Sequence, residues 1–99
     1  MNTLDLFFEW DSSKERINIQ KHRIDFRTAS QVFLDPMRIE RFDEDHSKDE
    51  ERYLTIGCVN DRVCILSVIY TERKNKIRII SARYANAEER ESYYEYCLL

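Results

Sequence analysis

The 99-residue chain holds one glycine, one proline and three cysteines, and each shortage removes a class of function. With Gly57 as its single glycine it cannot build a glycine-rich loop that cradles phosphates. Cys58, Cys64 and Cys97 are odd in number, lack C-x-x-C spacing and have no histidine nearby in sequence. Neither a disulfide framework nor a zinc site is indicated, and the three read as small core residues. No apolar run approaches the roughly 20 residues of a membrane span, and MNTLDLFFEW lacks the basic start and small-residue cleavage site of a secretory signal. The expected compartment is the cytoplasm, with no membrane contact.

What is present fits a folded chain. Hydrophobic residues make up 42% and charged residues 35%, which excludes a disordered polar segment. Residues 1–99 are expected to form one domain, long enough to bury about 60 to 70% of the unfolded chain's surface. Sixteen basic and 19 acidic residues give a net charge of -3, which argues against nonspecific coating of nucleic acid. Charge is nevertheless uneven. From Arg73 to Arg83 the chain carries Arg73, Lys74, Lys76, Arg78 and Arg83 with no acid, a local site for something anionic.

Hydrophobic spacing predicts a first strand over Leu4 to Trp10 and a helix capped by Asp11, with Ser12 and Glu15 as a competing start. That helix runs to about His22, with Ile17, Lys14, Lys21 and Ile24 on one stripe. Asp25 caps a second helix whose Phe26, Ala29, Val32 and Phe33 face inward and which Asp35-Pro36 stops. Met37 to Phe42 reads as an edge strand. The following DEDHSKDEE, six acids against one lysine, reads as a solvated loop. Arg52 to Cys58 and Arg62 to Tyr70 are strands joined through Val59-Asn60-Asp61, and the second, apolar on both sides, is central. Strict alternation over Lys76 to Tyr84 sets Ile77, Ile79, Ser81 and Arg83 on one side and Arg78, Ile80, Ala82 and Tyr84 on the other. Asn86 caps a last helix, with Arg90, Tyr93, Tyr94 and Cys97 as its inward stripe. The sum is an α+β protein: a twisted antiparallel β-sheet with two N-terminal helices and one C-terminal helix, packed mainly on one side of the sheet. Phe7, Trp10, Phe26, Phe33 and Tyr93 are the expected core aromatics.

In order along the chain, FEWD (Phe8 to Asp11), KH-x-I-x-F (Lys21 to Phe26), A-x-x-V-F-L-D-P (Ala29 to Pro36), DHS (Asp45 to Ser47), ER-x-L-T-I-G (Glu51 to Gly57) and TER-x-x-x-x-IRIISAR (Thr71 to Arg83) resemble the BrnT family of bacterial type II toxins. The closing stretch from Ala85 to Glu95 fits approximately. Where relatives usually have glycine after KH and after TER, this chain has Arg23 and Lys74. The resemblance implies a RelE-like fold, a ribonuclease that cleaves messenger RNA to arrest growth, and neutralisation by a BrnA-type ribbon-helix-helix antitoxin. It also implies a toxin homodimer in the neutral complex, which meets operator DNA only through the antitoxin. The rival expectation is a non-catalytic interaction module that dimerises and acts with the antitoxin as an operon repressor.

RNA cleavage without a metal needs the 2′-hydroxyl deprotonated, the added charge on the phosphate stabilised and the departing 5′-oxygen protonated. Arginine suits the middle task, and the resemblance puts Arg73 and Arg83 at motif positions as phosphate clamps. Otherwise Arg83 snorkels over the core and Arg73 is a solvated turn residue. Proton transfer falls to His22, Lys21 or Glu51, with His46 and Tyr84 also considered. His22 is alternatively a helix-end residue favoured by the dipole, and Glu51 alternatively pairs with Arg52. Lys76, Arg78, Arg52 and Tyr84 are expected to bind RNA, with Tyr84 and Tyr70 offering rings for base stacking. No cofactor is expected. Asp43, Asp45, His46 and Asp49 alternate but lack the turn glycine of a calcium loop, so no metal is expected either.

Overall fold

The computed structural model describes residues 7–60 and 64–99. Within them the chain runs β1 (Phe8–Trp10), α1 (Ser12–His22), α2 (Phe26–Ser30), a 3-10 turn (Gln31–Leu34), β2 (Ile39–Phe42), a second 3-10 turn (Glu44–His46), β3 (Tyr53–Val59), β4 (Cys64–Arg73), β5 (Lys76–Tyr84) and α3 (Ala87–Cys97). The strands form one sheet in the order β1-β5-β4-β3-β2, so the strand that is apolar on both sides is the middle one. The expected Leu4 to Leu6 portion of the first strand, and Asp61 to Val63 of the β3–β4 connection, lie outside the described residues.

Short polar side chains start each helix. The Asp11 carboxylate accepts from the Ser13 and Lys14 amides at 2.8 and 3.0 Å, so Asp11 rather than Ser12 is the cap. Asp25 accepts from the Thr28 amide at 2.7 Å. Asn86 and Glu89 bond one another's backbone amides at 2.9 Å each, a reciprocal capping box. At the other end of α1, Arg23 closes the helix in the left-handed region at φ 61°, and Lys74 and Asn75 take φ 49° and 67° in the β4–β5 turn. Two consecutive left-handed residues make the tight turn that matches the twist of a hairpin.

Four expectations need correction. The sheet is mixed, because β1 runs parallel to β5 with Phe8 opposite Ile77 and Trp10 opposite Ile79. The connection between them runs through both helices and the three intervening strands, more than the dozen residues a parallel pair requires. Second, helices cover both faces. Under α1 and α2 lie Phe8, Phe26, Val32, Leu66, Val68 and Ile79, while α3 crosses the other face and presses Tyr93 against Ile56, Ile65 and Ala85. Third, the face of α1 is turned from its expected direction and that of α3 is corrected in part, since Tyr93 and Cys97 lie inward as expected. Ile17 and Ile19 are exposed and the buried residue of α1 is Asn18; in α3 the buried pair is Glu89 and Tyr93, with Arg90 and Tyr94 outside. Phe7 likewise is exposed and Phe8 takes the core position.

Asn18 explains the first rotation. β1 pairs with β5 only at Ile77 to Ile79, so farther along β5 an edge amide has no strand to meet. The Asn18 side-chain oxygen accepts from the Ala82 amide at 3.0 Å, and its nitrogen donates to the Ile24 carbonyl at 2.9 Å. A buried backbone donor must be satisfied, and here that need outweighs the burial of isoleucine.

The fourth correction concerns β5. Ile69 faces Ser81 and Tyr70 faces Ile79, so Ile80 is an extra, unpaired residue, a bulge. Parity flips across it. Ile77 and Ile79 share their face with Ala82 and Tyr84, whereas Arg78 shares the opposite face with Ser81 and Arg83. Strict alternation puts the two arginines on different sides; the bulge puts them on the same one.

Lys74→Gly and Arg23→Gly should each stabilise the protein by about 0.5–1 kcal/mol in urea unfolding, because a side chain in the left-handed region costs more than glycine's extra freedom. Asn18→Ala should destabilise by about 2–4 kcal/mol, since it strands one buried donor and one acceptor.

Candidate active site

The residues expected to do chemistry separate into two groups. Arg73, Lys76, Glu51 and Arg52 gather at the β4–β5 turn and the acidic loop, while Lys21, His22, Arg78 and Arg83 flank α1 and the body of β5. Arg73 stands opposite Lys76, seven residues along β5 from Arg83. At about 3.3 Å per residue the two arginines are about 20 Å apart, too far to hold one phosphate together.

At the turn, Arg73 donates from Nε and Nη2 to Glu50 at 2.9–3.1 Å. Glu51 accepts from the Tyr53 hydroxyl at 2.7 Å rather than from Arg52, and the Thr71 hydroxyl donates to the Glu51 carbonyl. His46 bonds Asp43 at 3.0 Å, and the Ser47 hydroxyl ties Asp43 to Arg52 through their carbonyls. The acidic loop is thus knitted to itself and to the arginine beside it. Tyr70 is buried between the Phe33 and Tyr53 rings, so it offers no face to a base.

Around α1 the arrangement differs. A cleft of about 320 Å³ opens between the helix and the bulge, lined by Lys14, Ile17, Asn18, Lys21, His22, Ile80 and Ser81. Helical spacing puts Lys14, Lys21 and Asn18 on one side of α1, and Asn18's two hydrogen bonds fix that side against β5. Among the described residues no carboxylate lines the cleft. Next to Ser81 on the same side of the strand comes Arg83, which donates from Nη1 and Nη2 to the two oxygens of Glu89 at 2.7 and 3.0 Å. Arg78 pairs across the β1–β5 register with Glu9 at 2.7 Å.

Glu89 is 3% exposed and also accepts from the Ser67 hydroxyl and the Asn86 amide, both at 2.9 Å. Burial pushes its carboxyl up, but the Arg83 guanidinium, the Asn86 amide and the Ser67 hydroxyl outweigh that and hold it at about 2. Arg83 is in turn raised above its ordinary value, chiefly by its bond to Glu89. The pairing uses the end-on fork of the guanidinium. Its side fork, Nε with the outer hydrogen of Nη2, meets no acceptor among the described residues. A fork of that shape fits two phosphate oxygens.

Asn18 and Glu89 are the site residues that sequence reasoning missed. An asparagine between two isoleucines gives no periodic signal of burial. Glu89 was legible as a capping residue from its spacing after Asn86, but its second role depends on α3 folding back over β4 and β5. Lys21 and His22, by contrast, fall in the cleft where their pairing in sequence suggested a site.

Fold and cleft together define a small α+β protein with a cation-lined groove at α1 and, on the α3 side of β5, an arginine held on a buried carboxylate. A family model matches residues 10–89, that of BrnT, the ribonuclease toxin of type II toxin-antitoxin systems. The chain belongs to that family. It is therefore a toxin of the ribonuclease class, and a type II system pairs such a toxin with an antitoxin. No curated protein matches it. Among the described residues no helix is long and apolar enough to cross a membrane.

Because Glu89 titrates at about 2 in the fold and near 4.5 when free, its contribution is complete above pH 4.5 and is lost as pH falls toward 2. The loss should reach up to about 3 kcal/mol, less whatever solvent screens at the part-exposed Arg83. Urea unfolding at stepped pH should show that slope in the wild type and a shallower one in Glu89→Gln.

Proposed function

We propose that the protein is a metal-independent endoribonuclease that cleaves messenger RNA, is neutralised by a BrnA-type ribbon-helix-helix antitoxin and forms a homodimer within the toxin-antitoxin complex. The observation that carries the reading is the cleft between α1 and β5 that Lys14, Lys21, His22 and Ser81 line, with no carboxylate among the described residues around it; Arg83 lies beyond it, held by Glu89 on the α3 side of β5. In the cleft, His22 moves the proton at the 2′-hydroxyl or at the 5′-oxygen, since an imidazole ring can both accept and donate a proton. Lys21 meets the charge that builds on the pentacovalent phosphate, and the side fork of Arg83, on the other side of β5, takes a neighbouring phosphate of the strand. Glu89 orients Arg83, as a carboxylate orients a catalytic base elsewhere. Attack by the 2′-oxygen leaves a cyclic phosphate on one fragment and a free 5′-hydroxyl on the other.

Arg73, Lys76, Arg52 and Glu51 stand too far off to touch the same phosphate. In this reading Arg73, Lys76 and Arg52 contact the backbone of the message several nucleotides away, Arg78 lies between the two groups, and Glu51 serves the turn. A second reading is supported by the pairing of Arg73 and Arg83 with Glu50 and Glu89. Under it the chain is a partner-binding scaffold that acts with its antitoxin on operator DNA.

The two readings separate in one assay. With single-stranded RNA in EDTA, the wild type should cut, Arg83→Ala should lose well over tenfold and His22→Gln about a hundredfold, with antitoxin binding retained. Intact RNA and normal growth on induction without antitoxin would leave the scaffold alone standing.

A further inference from the structure

We propose that a pocket adjoining the cleft is a subsite for one unpaired nucleobase of the bound RNA, with Tyr84 as its stacking wall. The proposal rests on the ribonuclease reading and adds to it the contact that selects a base beside the cut.

The pocket holds about 180 Å³, with Ile24, Val59 and Leu66 among the residues that line its depth and Arg23, Asp25, Asn60 and Tyr84 at its rim. The first three are buried and apolar, while the rim residues are exposed. That chemistry suits a flat ring with polar edges. A phosphate would lose water against an apolar floor without recovering its hydrogen bonds, whereas a base desolvates its faces and turns its edges to the rim. Tyr84 is 55% exposed, and among the described residues no other ring stacks on it. Arg23 supplies donors and Asn60 both a donor and an acceptor for a base edge.

Position ties the pocket to the chemistry. His22 lines the cleft and Arg23, the next residue, lines the pocket. Tyr84 faces the same side of β5 as Ala82, the side that α1 covers. An RNA strand crossing the end of α1 therefore presents its reacting phosphate to Lys21 and His22 and its adjacent base to Tyr84. The depression of Asp45, His46, Lys48, Asp49 and Arg52 differs in having no apolar side chain among the residues that line it.

The test uses the whole protein and a short single-stranded RNA in which every 2′-hydroxyl is methylated, so that binding is read without cleavage. Tyr84→Ala should weaken binding about tenfold, the scale of one stacked base, and Tyr84→Phe should stay within twofold of wild type. Tyr84→Leu, which keeps the wall covered but removes the ring, should repeat the alanine loss. An abasic residue walked along the oligonucleotide should cancel the effect of Tyr84→Ala at one position and at no other. Unchanged binding by Tyr84→Ala, a loss independent of abasic position, or no binding of this RNA by the wild type overturns the subsite. Unmodified RNA left intact while the abasic dependence holds would sink the ribonuclease reading alone; cut RNA with no such dependence would sink the subsite alone.

Discussion

The carboxylate of Glu89 is the constraint around which the rest is arranged. It lies under α3 with acceptor bonds from Arg83, Ser67 and Asn86, so one group joins β5, β4 and the first turn of a helix. Removing water from a charge is costly, and only a complete set of donors offsets it. Replacing such an ion pair by well-packed apolar residues is often neutral or stabilising, so stability alone does not account for its presence. Its effect on Arg83 does. A guanidinium free to wander among rotamers becomes one with a fixed plane and a fixed spare fork, and fixed donors require no reorganisation when charge develops near them.

Much of the architecture could be read from residues one at a time. Asp11, Asp25 and Asn86 announced their helices because a short polar side chain meets free amides within three residues, and nothing distant intervenes. VCILSVIY announced the middle strand because burial on both faces leaves no room for polar alternation. The failures share a cause, namely a distant partner. Asn18 is inside because an edge amide of β5 needs an acceptor, and Glu89 is inside because Arg83 and Ser67 await it. Tyr70 lies under Phe33 and Tyr53 because β4 is covered there. Ile80 escaped because a bulge has no composition of its own; it exists only in the pairing of two strands.

The candidate site was half legible for the same reason. Lys21 and His22 are neighbours in sequence, so any fold that keeps the helix keeps them together. Arg73 and Arg83 look alike in a basic stretch without acids, yet Arg73 stands at the turn opposite Lys76, and Arg83 is seven residues farther along an extended strand. Each also found a carboxylate from outside that stretch, Glu50 from the acidic loop and Glu89 from the last helix. The acidic excess of the chain is therefore partly an inventory of counterions for its arginines. Arg41, held by Glu88, and Arg78, held by Glu9, extend the pattern.

The unpaired Ile80 also bears on how this strand can vary. Side chains beyond it owe their orientation to its being left out of the ladder. Were Ile80 drawn into the pairing with every letter intact, Arg83 would turn toward α1 and Tyr84 toward α3, leaving Glu89 buried opposite a side chain that cannot answer its charge; losing Ile80 altogether would leave both facing as they do.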